Sequence, residues 1–102
     1  MQMTARKRIE IIVEAVQAEA VTGLLDRLGA KGWTVLPVLS GRGRTGLRLR
    51  GDLSGVLDNV LVLCVTSERV ADAVLDAHEE LLGARPAIVS ITDCMVLRAE
   101  RF

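Results

Sequence analysis

Aromatic side chains are nearly absent: the 102 residues include one Trp, one Phe and no Tyr. A sheet that stacks unpaired bases needs aromatics on its strands, so an RNA-recognition module is disfavoured. Half of the residues are nonetheless hydrophobic, so the core must be aliphatic, built from Val, Leu, Ile and Ala. An excess of charge is also lacking, with 13 basic residues against 13 acidic ones. Proteins that grip a nucleic-acid duplex carry a basic surplus, and no nucleic-acid partner is expected here. No apolar run approaches the length of a membrane span. The opening Met1–Arg8 is polar and basic, without the apolar region of a secretion signal. A cytoplasmic protein with no direct membrane insertion is the expectation. Cysteine is scarce as well. Cys64 and Cys94 lie in separate apolar runs and form no CxxC motif. They read as buried free thiols rather than as a disulfide or a metal pair.

The length is that of one ordinary domain. Its first strong segment is RIEIIVEAV from Arg8 to Val16, whose β-branched density predicts a strand through about Glu14. Val21, Leu24, Leu25 and Leu28 then recur at i, i+3, i+4 and i+7, one face of a helix that Gly29 would stop. Trp33–Leu39 reads as a second strand, with Pro37 favouring a sheet edge or a bulge because it lacks a donor N–H. Asn59–Thr66, NVLVLCVT, reads as a third strand. Ser67 is a good N-cap for a second amphipathic helix carrying Val70, Val74, Ala77 and Leu81, ended by Gly83. Ala87–Leu97 reads as the last strand, and RAERF closes the chain.

The halves echo each other: LGAK at 28–31 returns as LGAR at 82–85, each between a helix and a strand. The order is βαβ, a long connection, then βαβ. Right-handed crossovers turn that order into an α+β, ferredoxin-like βαββαβ sandwich: an antiparallel four-stranded sheet with two helices on one face. The other face stays uncovered, yet the strands are apolar on both sides. Ile9, Ile11 and Val13 alternate with Ile12, and Val60, Val62 and Cys64 alternate with Leu61, Leu63 and Val65. Strands apolar on both faces require burial on both, which predicts sheet-to-sheet packing of copies and hence an oligomer.

Between the halves, 40–58 holds five glycines and four arginines with little periodic hydrophobicity. Long connections of this kind are functional or disordered. Within it, Ser40-Gly41-Arg42-Gly43-Arg44 suits an anion: glycines admit backbone N–H groups close to a phosphate, and guanidiniums add planar donors. It is neither a Walker A nor a GxGxxG helix opening, so by itself it is as compatible with a solvated loop. Gly83-Ala84-Arg85 and the pair Arg98 and Arg101 are further basic groups that the fold could bring to a subunit junction.

The stretch Gly32-Trp33-Thr34-Val35 followed by Ser40-Gly41-Arg42-Gly43-Arg44 resembles the strand-two and T-loop entry of PII signalling proteins, and most closely the branch linked to bicarbonate handling and carboxysomes. The likeness extends over nearly the whole chain in element order. It implies a homotrimer whose three clefts bind an adenine nucleotide, with no catalysis. Carried over by position, Thr34 and the Val65 backbone would meet the adenine. Gly41, Arg42, Gly43 and Arg44 would line the phosphates, Gly83 and Arg85 would stand for the B-loop, and Arg98 and Arg101 for the C-terminal arginines. The 40–58 segment would be the T-loop, which controls a partner transporter or a carbon-metabolism protein.

Departures from the family pattern refine this. Thr45 stands where the family has the Gln that helps to hold magnesium and 2-oxoglutarate, which argues against 2-oxoglutarate sensing and against a metal. The loop has no Tyr to uridylylate. A B-loop as short as Gly-Ala-Arg favours ADP or AMP over ATP, with bicarbonate as a candidate co-ligand. The tail reads Arg-x-x-Arg where the family has Arg-x-Arg. The implied location is cytoplasmic, with carboxysome association a further option of that branch.

Two other classes share the topology. An acylphosphatase-type enzyme needs a phosphate loop with Arg after the first strand, but EAVQAEAV at 14–21 has neither Gly nor Arg. A CutA-like trimeric metal-tolerance protein needs a clustered ligand set, which the chain lacks. His78 is a lone histidine beside an apolar helix face, Asp93 has no second carboxylate at catalytic spacing, and Ser54 is an ordinary loop serine.

Overall fold

The computed structural model describes residues 2–43, 46–49, 58–83 and 87–102. Strand β1 (Thr4–Glu14) leads through a 3-10 turn into helix α1 (Ala18–Leu28), followed by the short strands β2 (Thr34–Pro37), β3 (Ser40–Gly43) and β4 (Gly46–Leu49). Strand β5 (Asn59–Thr66) then precedes helices α2 (Glu68–Asp76) and α3 (His78–Leu82), strand β6 (Ala87–Val96) and a closing 3-10 turn (Ala99–Arg101). The main sheet is antiparallel in the order β2-β5-β1-β6. This is the ferredoxin-like arrangement expected from the sequence.

Alternation sorts the strands into two faces. Ile9, Ile11 and Val13 of β1 and Val60, Val62 and Cys64 of β5 are buried under the helices. Val21, Leu24 and Leu25 of α1 and Val70, Ala71, Val74 and Leu81 of α2 and α3 close over them. Each such aliphatic side chain contributes about 1.5–3 kcal/mol when fully buried. Gly29 ends α1 with φ of 100°, a left-handed conformation in which a side chain would be strained. At the start of α2, Ser67 Oγ accepts from the Val70 N–H at 3.2 Å.

The structure departs from the sequence expectation in four places. β1 starts at Thr4 rather than Arg8, because its polar first half pairs with β6 from Thr4↔Val96 onward and Lys7 forms an ion pair with Asp93. The second strand is trimmed to Thr34–Pro37; it is the sheet edge, where a proline is tolerated. The second helix is broken at Ala77, whose backbone leaves the helical region at φ −92° and ψ 18°. There the His78 ring Nδ1 lies 2.9 Å from the Leu75 carbonyl. Finally, the start of the 40–58 connection is a hairpin, with Ser40↔Leu49, Gly41↔Arg48, Arg42↔Leu47 and Gly43↔Gly46 paired as a separate two-stranded sheet. β3 is Ser-Gly-Arg-Gly, which carries no strand signal, and the Leu47-Arg48-Leu49 alternation of β4 is too short to declare one.

Candidate functional site

The face of the sheet opposite the helices is uncovered in the single chain. Cross-strand register places Leu36, Leu61, Ile12 and Ile88 side by side across all four strands, and Leu36 and Ile88 are 40% and 61% exposed. The next row is Thr34, Leu63, Glu10 and Ser90, and the row beyond is Val65, Arg8 and Thr92. Thr34 and Val65 therefore share this face on adjacent strands, one row apart. Thr34 is exposed and Val65 half-buried.

At the far end of β1 and β6 the chain turns sharply. Arg98 sits at φ 58° and ψ 61°, the one non-glycine residue in the left-handed region among those described. Such a conformation costs about 1–2 kcal/mol in a residue with a Cβ, and residues held this way concentrate at ligand sites. It opens the 3-10 turn Ala99–Arg101, closed by Arg101 N–H to Arg98 O at 3.0 Å and Phe102 N–H to Ala99 O at 3.1 Å. Arg98 and Arg101 are both exposed. Two other cations, which sequence reasoning did not single out, reach this turn. Arg6 Nη2 donates to the Ala99 carbonyl at 3.0 Å, and Lys31 Nζ donates to the Glu100 carbonyl at 2.8 Å. Arg6 lies in no motif and Lys31 closes the LGAK segment at 28–31, but their separations of 93 and 69 residues from their acceptors leave no local signal of these contacts.

Gly41, Arg42 and Gly43 lie on β3, with Gly41 and Arg42 exposed. Gly83 caps α3 at φ 46° and ψ −148°, a conformation suited to glycine. Arg44 and Arg85 fall outside the described residues. Among the described residues, no hydrogen bond joins Gly41–Gly43 or Gly83 to the C-terminal turn. The described candidate residues occupy separate elements: β2, β3, β5, the end of α3 and the C-terminal turn.

Cys64 is buried on the helix side, its Sγ 3.4 Å from the Gly32 carbonyl. Burial, with a smaller contribution from the Asp26 carboxylate, pushes its thiol up to about 11. Cys94 is half-buried on the other face, and its Sγ lies 3.6 Å from the Arg6 carbonyl. The two are separate free thiols. Among the described residues no group of three or more His, Cys, Asp or Glu side chains is placed to hold a metal ion, and no helix is long and apolar enough to cross a membrane.

Residues 6–101 match the family model of the nitrogen regulatory protein P-II. No curated protein matches the sequence significantly. Among solved structures, the chain is similar to CPII, a nitrogen regulatory PII-like protein from Thiomonas intermedia K12 seen with ADP, AMP and bicarbonate. The two are 28% identical over 99% of this chain and 96% of that one, with a TM-score of 0.88. A putative PII-like signalling protein from Thermus thermophilus is 26% identical over 100% of this chain and 99% of that one, with a TM-score of 0.84. A DUF3240 family protein from Shewanella baltica, 15% identical over 85% of this chain and 87% of that one, shares the fold at a TM-score of 0.67.

Proposed function

The chain belongs to the nitrogen regulatory protein P-II family, and from that premise we propose that it is a trimeric sensor of ADP or AMP, with bicarbonate as a co-ligand. It is a signalling regulator and not an enzyme. The observation that carries the nucleotide reading is the C-terminal turn. Two exposed guanidiniums, Arg98 and Arg101, stand on a short backbone turn that opens with a left-handed arginine. Guanidiniums are suited to phosphate oxygens because their N–H groups donate in a planar fork. The PII-like relative from Thiomonas intermedia was captured with ADP, AMP and bicarbonate, which supports the choice of ligand class.

The uncovered apolar row supports association of copies, and the family supports a trimer. Packing Leu36, Leu61, Ile12 and Ile88 against other copies removes the exposed patch and brings elements of neighbouring subunits together. Thr34, the Val65 backbone, Gly41, Arg42, Gly43, Arg44, Gly83 and Arg85 would then meet Arg98 and Arg101 at the subunit junctions. The 40–58 segment, which begins as the β3–β4 hairpin, is the arm that would engage a transporter or a carbon-metabolism protein in the cytoplasm or at a carboxysome. Nucleotide binding would shift the population of its conformations.

Calorimetry with AMP, ADP, ATP and cyclic AMP, each with and without bicarbonate, tests the reading, alongside light scattering for the assembly state. The expected outcome is a trimer that binds ADP or AMP more tightly than ATP. A stable monomer, or no heat with any nucleotide, rejects it.

A further inference from the structure

We infer that Lys31 and Arg6 are positioning residues that hold the C-terminal turn in its phosphate-facing shape. The inference rests on the nucleotide reading above and adds two residues to it. This 3-10 turn of three residues has two backbone bonds of its own, and so short a turn holds its shape poorly unless something ties it down. Here the ties come from two other elements. Arg6 belongs to β1, which lies between β5 and β6 in the interior of the sheet, and its Nη2 donates to the Ala99 carbonyl. That carbonyl also accepts the Phe102 N–H, so both of its lone pairs are used. Arg6 is held against backbone at a second point as well: Nη1 donates to Ala5 O at 2.9 Å, and Nε is buried with no hydrogen-bond partner among the described residues.

Lys31 works from the segment between α1 and β2. Its Nζ donates to the Glu100 carbonyl, the peptide oxygen that directly precedes Arg101. With Ala99 O and Glu100 O both held, the peptide planes on the N-terminal side of Arg101 are fixed, and so is the direction in which that side chain leaves the turn. The same ties keep the chain folded back at Arg98, whose left-handed backbone would relax to an ordinary conformation if the turn came loose. A charge-assisted donor on each of two consecutive carbonyls is a way to preorganise a site on a short turn.

The test uses the full-length protein and two readouts. Lys31→Met removes the donor and keeps the aliphatic stem; Arg6→Met does the same on β1, and Lys31→Arg restores a donor. Amide exchange at Arg101 and Phe102, measured without nucleotide, is expected to accelerate roughly three- to tenfold in either Met variant, the range that a single hydrogen bond supports, and to recover in Lys31→Arg. ADP affinity should fall by a similar factor in Lys31→Met. In a background carrying Arg98→Ala and Arg101→Ala together, the same Lys31→Met change should cost nothing further, because both of the side chains it positions are gone. An affinity loss that persists in that background means that Lys31 meets the phosphate directly or acts by charge alone, and it overturns the inference. Unchanged exchange in both Met variants also overturns it, whatever ADP does. If the unsubstituted protein binds no adenine nucleotide, the nucleotide reading fails and the positioning role with it. Accelerated exchange would then identify the ties as structural pins only, so the two failures remain distinguishable.

Discussion

Arg98 can be separated into a backbone and a guanidinium by two substitutions. Arg98→Ala removes the guanidinium and leaves a Cβ in the left-handed region; Arg98→Gly removes both. If the guanidinium meets a phosphate, each variant loses a charge-assisted hydrogen bond of about 1.5–3 kcal/mol, which weakens ADP binding roughly ten- to a hundredfold. The variants differ in the unliganded protein. At φ 58° and ψ 61° alanine bears a strain of about 1–2 kcal/mol that glycine does not. Glycine gives back about 0.4–1 kcal/mol through its greater freedom in the unfolded chain. The balance leaves Arg98→Gly more stable than Arg98→Ala by about 0.5–1 kcal/mol, readable as a higher urea midpoint at equal m-value. Calorimetry gives the first quantity and denaturation the second. Equal ADP affinity in Arg98→Ala and the unsubstituted protein would refute the phosphate role. An Arg98→Gly variant less stable than Arg98→Ala would refute the claim that the turn holds a strained arginine.

Leu61→Asp places a charge in the middle of the apolar row, where an unpaired buried carboxylate costs several kcal/mol in an interface; light scattering should show monomer, and a trimer of unchanged mass would remove the case for sheet-to-sheet packing. Cys64 keeps its proton in the fold up to about pH 11, whereas an unfolded thiol ionises near its ordinary value of about 8.5. The unfolded chain thus binds fewer protons than the native one in that window, so stability falls as pH rises from about 8.5 to 11, by roughly 2–3 kcal/mol per chain, and Cys64→Ala should flatten that part of the pH profile. Ser67→Ala removes the oxygen that caps the Val70 N–H at 3.2 Å and should cost about 1 kcal/mol by thermal denaturation, with no change in ADP affinity.

The elements legible in the sequence are those whose packing is written in side-chain periodicity. In Asn59–Thr66 the six residues Val60–Val65 are apolar without interruption because both faces need cover, and the strand's bounds in the structure are the ones read from the sequence. α1 ends at Gly29 because the left-handed cap favours a residue without a Cβ. Thr4–Lys7 is not legible as strand, since its pairing is specified by β6, some 90 positions away: Lys7 faces Asp93 and Arg6 faces Cys94. The break at Ala77 is hidden for a related reason. Val70, Val74, Ala77 and Leu81 keep helical spacing across it, so the apolar face is maintained while the backbone steps aside.

The site divides along the same line. Thr34 can be placed near Val65 because both belong to strands whose faces follow from alternation, and the register sets them one row apart. The glycine-arginine segments can be identified as suited to an anion from their chemistry, but nothing in their spacing says where they lie. On the proposed reading their roles depend on a neighbouring subunit, and the sequence points to such a neighbour only indirectly, as a second apolar face with nothing of its own to cover it. Nothing in the sequence ties Arg6 or Lys31 to the C-terminal turn, because a side chain that holds a distant backbone carbonyl needs only reach and a donor. A sequence motif records the residues that would touch a ligand more readily than those that hold them in place. In that turn Arg98 and Arg101 stand exposed, while Arg6 and Lys31 each direct a donor at a backbone carbonyl, Ala99 O and Glu100 O.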